Sequence, residues 1–285
     1  MRFLTFGDRD AARRPGFLER DRIFPLNCDG LESFIALTSS ERDALLDAAR
    51  GAESLARDGV RLRAPVVPRK NVFCVGRNYL EHAKEGAKAL GRELKLPDVP
   101  TFFTKAPTAI ADPEATLRFA HRVARQLDWE GELAVVIGRR LRDADEASAE
   151  AAVFGYTCLN DISARDLQRA HLQWFKGKSL DASCPIGPWI VTPDEIGDAR
   201  ALSLETRVNG VVKQHASTAS MIFSIPRIIA ELSAGMTLEP GDVIATGTPE
   251  GVGFARTPPE FFADGDVVEV EIGKIGVLRN TITIS

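Results

Sequence analysis

From about residue 71 onward, apolar positions fall in short β-branched runs broken by Gly, Pro and Asp. VFCVG (72–76), ELAVVIG (132–138), WIVT (189–192), LETRVNGVV (204–212), DVIATG (242–247) and VVEVEIG (267–273) predict strands. EPGD (239–242) and ADGD (263–266) supply turn chemistry ahead of two of them. Helical spacing is rarer: EASAEAAVFG (146–155), SARDLQRAH (163–171) and SIPRIIAELSAG (224–235). Residues 1 to about 67 predict short strands and turns followed by one helix, SSERDALLDAARG (39–51), with a Ser cap and Gly51 as its stop. APVVPRK (64–70) then reads as a linker. The pattern predicts a small N-terminal α+β domain over 1–67 and a larger domain over 68–285. Many short strands with few helices point to a strand-rich α/β chain with a closed or sandwiched β unit, not a doubly wound parallel sheet.

Composition narrows the class without changing that picture. The 285 residues are 44% hydrophobic and 27% charged, as in ordinary globular proteins. Thirty-six basic against 40 acidic side chains give a net charge of −4, so no nucleic-acid partner is expected. No run approaches the ~18 apolar residues of a membrane span, and MRFLTFGDRDAARRPGFL lacks the apolar stretch of a secretory signal. Cys28, Cys74, Cys158 and Cys184 are scattered, which predicts reduced thiols and a cytoplasmic protein.

Three segments carry candidate chemistry. In DWEGEL (128–133), strand alternation points Glu130 and Glu132 to one face, with Gly131 on the other. Paired carboxylates repel, and a divalent cation with a taste for oxygen ligands relieves them; a solvent-facing strand end reads the same way without a metal. In NDISARDLQ (160–168), a helix would line up Asp161, Arg165 and Gln168, offering an acidic ligand, a planar cation and an amide. The plain alternative is an exposed helix face. In GRNYLEHAKE (76–85), His82 and Glu85 stand three apart, so one helical turn stacks carboxylate on imidazole, as a general base requires. A surface ion pair has the same spacing.

Two motifs are set aside. WFKGKS (174–179) ends like a phosphate-binding loop, but Leu172 stands where its first Gly belongs. TGTPEGVG (246–253) follows no nucleotide fingerprint and reads as a tight loop whose backbone approaches a ligand. Cys184 has no nearby His or helix start to make it a nucleophile.

Taken in order, GRNYLEHAKE, FTKAPTAI (103–110), DWEGELAVVIG (128–138), GYTCLNDISARDLQ (155–168), KGKSLDASCPIGPW (176–189), EPGDVIATGTPEGVG (239–253) and GDVVEVEIGKIGVLRN (265–280) resemble the fumarylacetoacetate hydrolase superfamily over about residues 70–285. The resemblance implies the family's mixed β-roll, usually in a homodimer. It implies a metal triad of Glu130, Glu132 and Asp161 holding Mg²⁺ or Mn²⁺, a water-activating dyad of His82 and Glu85, and Lys178 beside the metal. It implies substrate contacts from Arg165, Gln168 and Thr248, with Lys105 on another segment near the pocket. Relatives commonly carry a small N-terminal domain like residues 1–67. The stretch GAKALGRELKLPDVP (86–100) is longer than the family pattern and is expected to reshape the pocket, as a helical lid or as a loop from a dimer partner.

The expected function is metal-dependent hydrolysis of a carbon–carbon bond in a 2,4-dioxo acid of the acylpyruvate type, releasing pyruvate. The alternative is decarboxylation or keto–enol isomerisation of a related oxo-diacid through the same enolate chemistry. A ligand-binding protein without turnover is the third reading; an intact water-activating dyad argues against it.

Overall fold

The computed structural model describes residues 1–7, 13–91 and 93–285. Residues 8–12, within the N-terminal stretch, and Arg92, within the 86–100 insertion, lie outside the described residues.

Among the described residues a 12-stranded sheet forms the body of the molecule. Its central order is Arg2–Phe6, Cys184–Val191, Val153–Asn160, Gly131–Ile137, Val243–Ala245, Val72–Gly76 and Thr101–Lys105. Most neighbours are antiparallel; Val243–Ala245 and Val72–Gly76 run parallel. A second, five-stranded sheet contains Val211–Ser217, Ser203–Val208, Val267–Ile272, Gly276–Ile284 and Thr116–Phe119. This strand-rich α/β architecture is the class the alternation predicts.

The strand Gly131–Ile137 shows why the core sits where it does. Leu133, Val135 and Ile137 pack with Leu204, Val270 and Leu278 of the second sheet and with Ile228 and Ile229 of the helix Ile225–Ser233. Ala134 and Val136 face the other way, into a core with Phe3, Phe34 and Leu46 of the N-terminal segment. Both faces are buried, so the strand reads as a continuous apolar run. The N-terminal segment joins the body directly, because Arg2–Phe6 pairs with Cys184–Val191. One sheet and one apolar core therefore run across the 67/68 position.

Several local expectations are corrected. LETRVNGVV is a hairpin and not one strand: Ser203–Val208 and Val211–Ser217 pair across Asn209 and Gly210, both at positive φ, which is the turn that Asn-Gly favours. EASAEAAVFG keeps its helix only over Glu146–Glu150, and Val153 onward is central strand. The N-terminal region holds two helices, Leu31–Ala36 and Ser39–Arg50, the second closed by a Thr38/Glu41 capping box. The insertion extends the His82 helix only as far as Ala89, and it exposes Leu90, Leu94, Leu96 and Val99.

Candidate active site

The strand Gly131–Ile137 begins beside a short two-residue pair, Leu127–Asp128 with Ser163–Ala164. Asp161 follows the strand Val153–Asn160 and donates its backbone N–H to the Glu130 carbonyl at 2.8 Å. That crossing brings Asp161 to the two glutamates. One oxygen from each of Glu130, Glu132 and Asp161 lies within 4.8 Å of the others, and all three residues are buried. The solvent-facing strand end weighed above is thus excluded by burial.

The expected helical stripe of Asp161, Arg165 and Gln168 is not what forms. Asp161 lies between the strand Val153–Asn160 and the short strand Ser163–Ala164, and the helix begins only at Arg165. The reason is the Leu127–Asp128 pairing, which holds Ser163–Ala164 extended. Arg165 and Gln168 do share one turn, with Arg165 Nη1 donating to Gln168 Oε1 at 3.1 Å.

Cations surround the carboxylates. Lys178 Nζ lies 2.6 Å from Glu130 and 2.7 Å from Asp161, and Lys105 Nζ lies 2.6 Å from Asp161. Arg165 bridges Asp128 through Nε at 2.8 Å and Glu130 through Nη2 at 2.7 Å. Three carboxylates thus meet three cations, while Glu132 has no ion pair among the described residues. Lys178 arrives on the one-turn helix Phe175–Lys178, which crosses the Arg165 helix closely enough that a Cβ at Gly177 would lie 2.7 Å from the Gln168 backbone. The Gly of WFKGKS therefore serves helix packing rather than phosphate binding.

The glycine-rich segment 246–253 holds the carboxylates from behind. Gly247, at φ 105°, donates its N–H to Glu132 at 2.7 Å. The Gly251 N–H reaches Glu85 at 2.9 Å, and the Gly253 N–H reaches Asp128 at 2.7 Å. Glu85 in turn accepts from or pairs with His82 Nδ1 at 2.9 Å, as the three-residue spacing predicts. One loop therefore sets the dyad and the acid cluster in register. The groups its backbone amides touch are the protein's own side chains.

Electrostatics divide the two glutamates. Burial opposes ionisation of Glu130, but Lys178, Arg165 and His82 outweigh it and hold this carboxyl well below its usual range. For Glu132, burial and the neighbouring Asp161 and Glu130 charges push the carboxyl well up. Lys178 stays charged: its ion pairs with Asp161 and Glu130 overcome burial and raise it. A site with one carboxylate that resists ionising, and three hard oxygen donors converging, fits a divalent cation such as Mg²⁺ or Mn²⁺.

Thr248 is buried with its hydroxyl committed on both sides, donating to the Gly131 carbonyl at 3.0 Å and accepting from Gln214 Nε2 at 2.8 Å. Sequence reasoning missed Gln214, Asp128 and Asn160. The Gln214 amide reaches from the second sheet to accept from Gly131 N–H and donate to Thr248 and Pro249. Asn160 accepts from Glu130 N–H at 3.0 Å. Asp128 takes amides from Trp129, Gly253 and Phe254 besides pairing with Arg165. Asp128 lay inside the DWEGEL motif, but its partners come from residues 165 and 253, which strand periodicity cannot connect. Cys184 is buried and its thiol is pushed up to about 12, mainly by burial, which leaves it no nucleophile.

The family model described as fumarylacetoacetate (FAA) hydrolase C-terminal matches residues 71–283. The chain belongs to the fumarylacetoacetate hydrolase family. It is 49% identical over 224 residues to the oxaloacetate tautomerase YisK of Bacillus subtilis, covering 78% of this chain and 73% of that one. It is 39% identical over 230 residues to the mitochondrial oxaloacetate tautomerase fahd2 of Xenopus laevis, covering 80% and 70%. Among solved structures, a fumarylacetoacetate hydrolase from the psychrophile Exiguobacterium antarcticum superposes with a TM-score of 0.82 at 40% identity over the full length of both chains. The family assignment agrees with the motif order, and the family start at residue 71 falls just after the linker. Among the described residues no helix is long and apolar enough to cross a membrane.

Proposed function

We propose that this protein interconverts the keto and enol forms of a small 2-oxo dicarboxylate of the oxaloacetate type. The observation that carries the reading is the registration, by one loop, of a His–Glu dyad against a cation-lined carboxylate cluster. That is machinery for moving one proton next to a stabilised enolate, and among the described residues no activated side-chain nucleophile accompanies it. The likeness to two oxaloacetate tautomerases supports the choice of substrate class.

In this reading Glu130, Glu132 and Asp161 hold Mg²⁺ or Mn²⁺, which when bound supplies Lewis acidity toward the 2-oxo group. His82, oriented through Nδ1 by Glu85, carries the proton between the carbon beside the oxo group and solvent. Lys178 keeps its charge near the developing enolate oxygen. Arg165 spends Nε on Asp128 and Nη2 on Glu130, so its remaining protons and the Gln168 amide orient the distal carboxylate. Lys105 neutralises Asp161 and sets its oxygens. Thr248 contributes to the carboxylate pocket through the backbone of its loop. A homodimer in the cytoplasm completes the proposal.

Hydrolysis of a 2,4-dioxo acid is the second reading. It is favoured by the full-length likeness to a fumarylacetoacetate hydrolase, and it uses His82 to take a proton from water. The test is a parallel assay with oxaloacetate and a panel of acylpyruvates in the presence of Mg²⁺. Tautomerisation removes enol absorbance from oxaloacetate without releasing pyruvate or carbon dioxide. Pyruvate release from an acylpyruvate, with no acceleration of oxaloacetate exchange, would replace the first reading by the second.

A further inference from the structure

Tyr79 is fully buried, yet its hydroxyl has no hydrogen-bond partner among the described residues. Buried hydroxyls without partners are unfavourable and rare in folded proteins. The ring also stands outside the four apolar clusters that hold the other buried aromatic side chains Phe3, Phe17, Phe34, Trp129 and Tyr156.

The backbone around this residue leaves it little freedom. Asn78 is pinned by donation to the Thr246 carbonyl at 2.8 Å and by the Phe223 N–H at 2.8 Å. Tyr79 itself bridges to Met221 and accepts the first bond of the helix Leu80–Ala89 from Ala83. Gly247, whose N–H holds Glu132, packs directly on Asn78, where an added Cβ would lie 2.8 Å from the Asn78 Cβ.

That position sets Tyr79 at the start of the helix that carries the dyad, three residues before His82. Burial and the Glu132 and Glu250 charges push this phenol up, so it keeps its proton and remains a donor.

We propose that the Tyr79 hydroxyl is a further substrate-contacting group of this site, donating a hydrogen bond to an anionic oxygen of the bound oxo-acid on the Glu132 side. The proposal rests on the reading of the site as an oxo-acid enzyme. Its chemistry is simple: a neutral donor with no competing protein acceptor is available to a ligand oxygen at no exchange cost inside the protein. His82 and Tyr79 would then bracket the ligand, one moving the proton and the other fixing the oxygen that gains charge.

Tyr79→Phe tests this cleanly, because the hydroxyl it removes makes no protein hydrogen bond. Calorimetric titration of the Mg²⁺-loaded protein with oxalate, a planar mimic of an enolate acid, gives a readout independent of turnover. The expected result is oxalate affinity at least tenfold weaker in Tyr79→Phe, kcat for oxaloacetate tautomerisation lowered by a similar factor, and Mg²⁺ affinity and melting temperature unchanged or slightly higher. Equal oxalate affinity and equal turnover in wild type and variant would overturn the proposal and leave the function reading intact; a hydroxyl satisfied only by a structural water gives this outcome. Wild-type protein that binds Mg²⁺ but neither binds oxalate nor turns over oxaloacetate or an acylpyruvate would overturn the function reading, and this proposal with it.

Discussion

Two acidic clusters in this molecule use the same side chains under opposite conditions. On the outer face of the second sheet, Arg207 pairs with Glu205, Glu269 at 3.1 Å and Glu271 at 2.8 Å, all partly exposed to solvent. Arg279, 3.5 Å from Glu269, and His215, 3.3 Å from Glu205, add only loose support there, because water screens whatever repulsion the three carboxylates retain. In the site, Glu130, Glu132, Asp161 and Asp128 are buried, and they require Lys178, Lys105, Arg165 and amides from Gly247 and Gly253. Even so Glu132 is held against ionising. The difference teaches that burial, and not the count of acidic residues, turns a cluster into a site: only the dry cluster has charge left for a ligand to compensate.

The comparison breaks most visibly at Asp161. Asp161→Asn removes a ligand and leaves buried Lys105 and Lys178 short of a partner, so turnover should fall to background and the protein should lose about 3–5 kcal/mol. Chemical denaturation and a Mg²⁺-dependent assay check both, and metal-dependent turnover surviving in the variant would refute the triad.

His82→Ala comes next, with a loss of roughly 100-fold or more in kcat and little change in melting temperature, since a proton carrier contributes to the reaction far more than to packing. A change below about threefold would remove the dyad from the chemistry. Gln214→Leu should cost about 1–3 kcal/mol by orphaning the Gly131 N–H and freeing the Thr248 hydroxyl. Its kinetic signature is a raised KM, and an unchanged KM would show that the loop keeps its place without this amide.

The pH dependence sharpens the contrast. Glu132 has a raised pKa in the folded state, so its contribution to stability is fully present below the ordinary glutamate range and is lost as pH rises through the folded value. Glu130 is depressed, so its contribution is present above the ordinary range and is lost as pH falls. Because the Glu132 carboxyl is raised, metal binding is expected to draw it toward the ionised form and to release protons. Titration with Mg²⁺ in buffers of different ionisation enthalpy measures it, and an enthalpy independent of buffer would contradict the assignment. The smallest effect is expected on the outer sheet: Arg207→Ala should change stability by about 1 kcal/mol or less and leave turnover alone. A loss as large as that of Asp161→Asn would collapse the comparison.

How much of this was legible beforehand differs from element to element. Glu130 and Glu132 on one face follow from strand alternation, and the His82–Glu85 contact follows from helical spacing, because both are local periodicities. Motif order singles out Asp161, but helical spacing puts it on a helix it does not join, since the Leu127–Asp128 pairing that keeps Ser163–Ala164 extended is made by residues far away in the chain. The Asn-Gly turn at 209–210 is present in the letters, but the apolar residues on either side of it read as one run.

Local pattern alone was enough for the strand-rich class, the alternation that pairs the glutamates, the family motifs and the dyad. Those depend on neighbours within one turn or one strand. Only the tertiary structure decided that Lys105 and Lys178 neutralise the same aspartate, that one loop holds Glu132, Glu85 and Asp128, and that the Tyr79 hydroxyl is left without a protein partner. Charge compensation and hydrogen-bond satisfaction are properties of what surrounds a group in space, and in a sheet assembled from distant strands that surrounding is written nowhere in the local pattern.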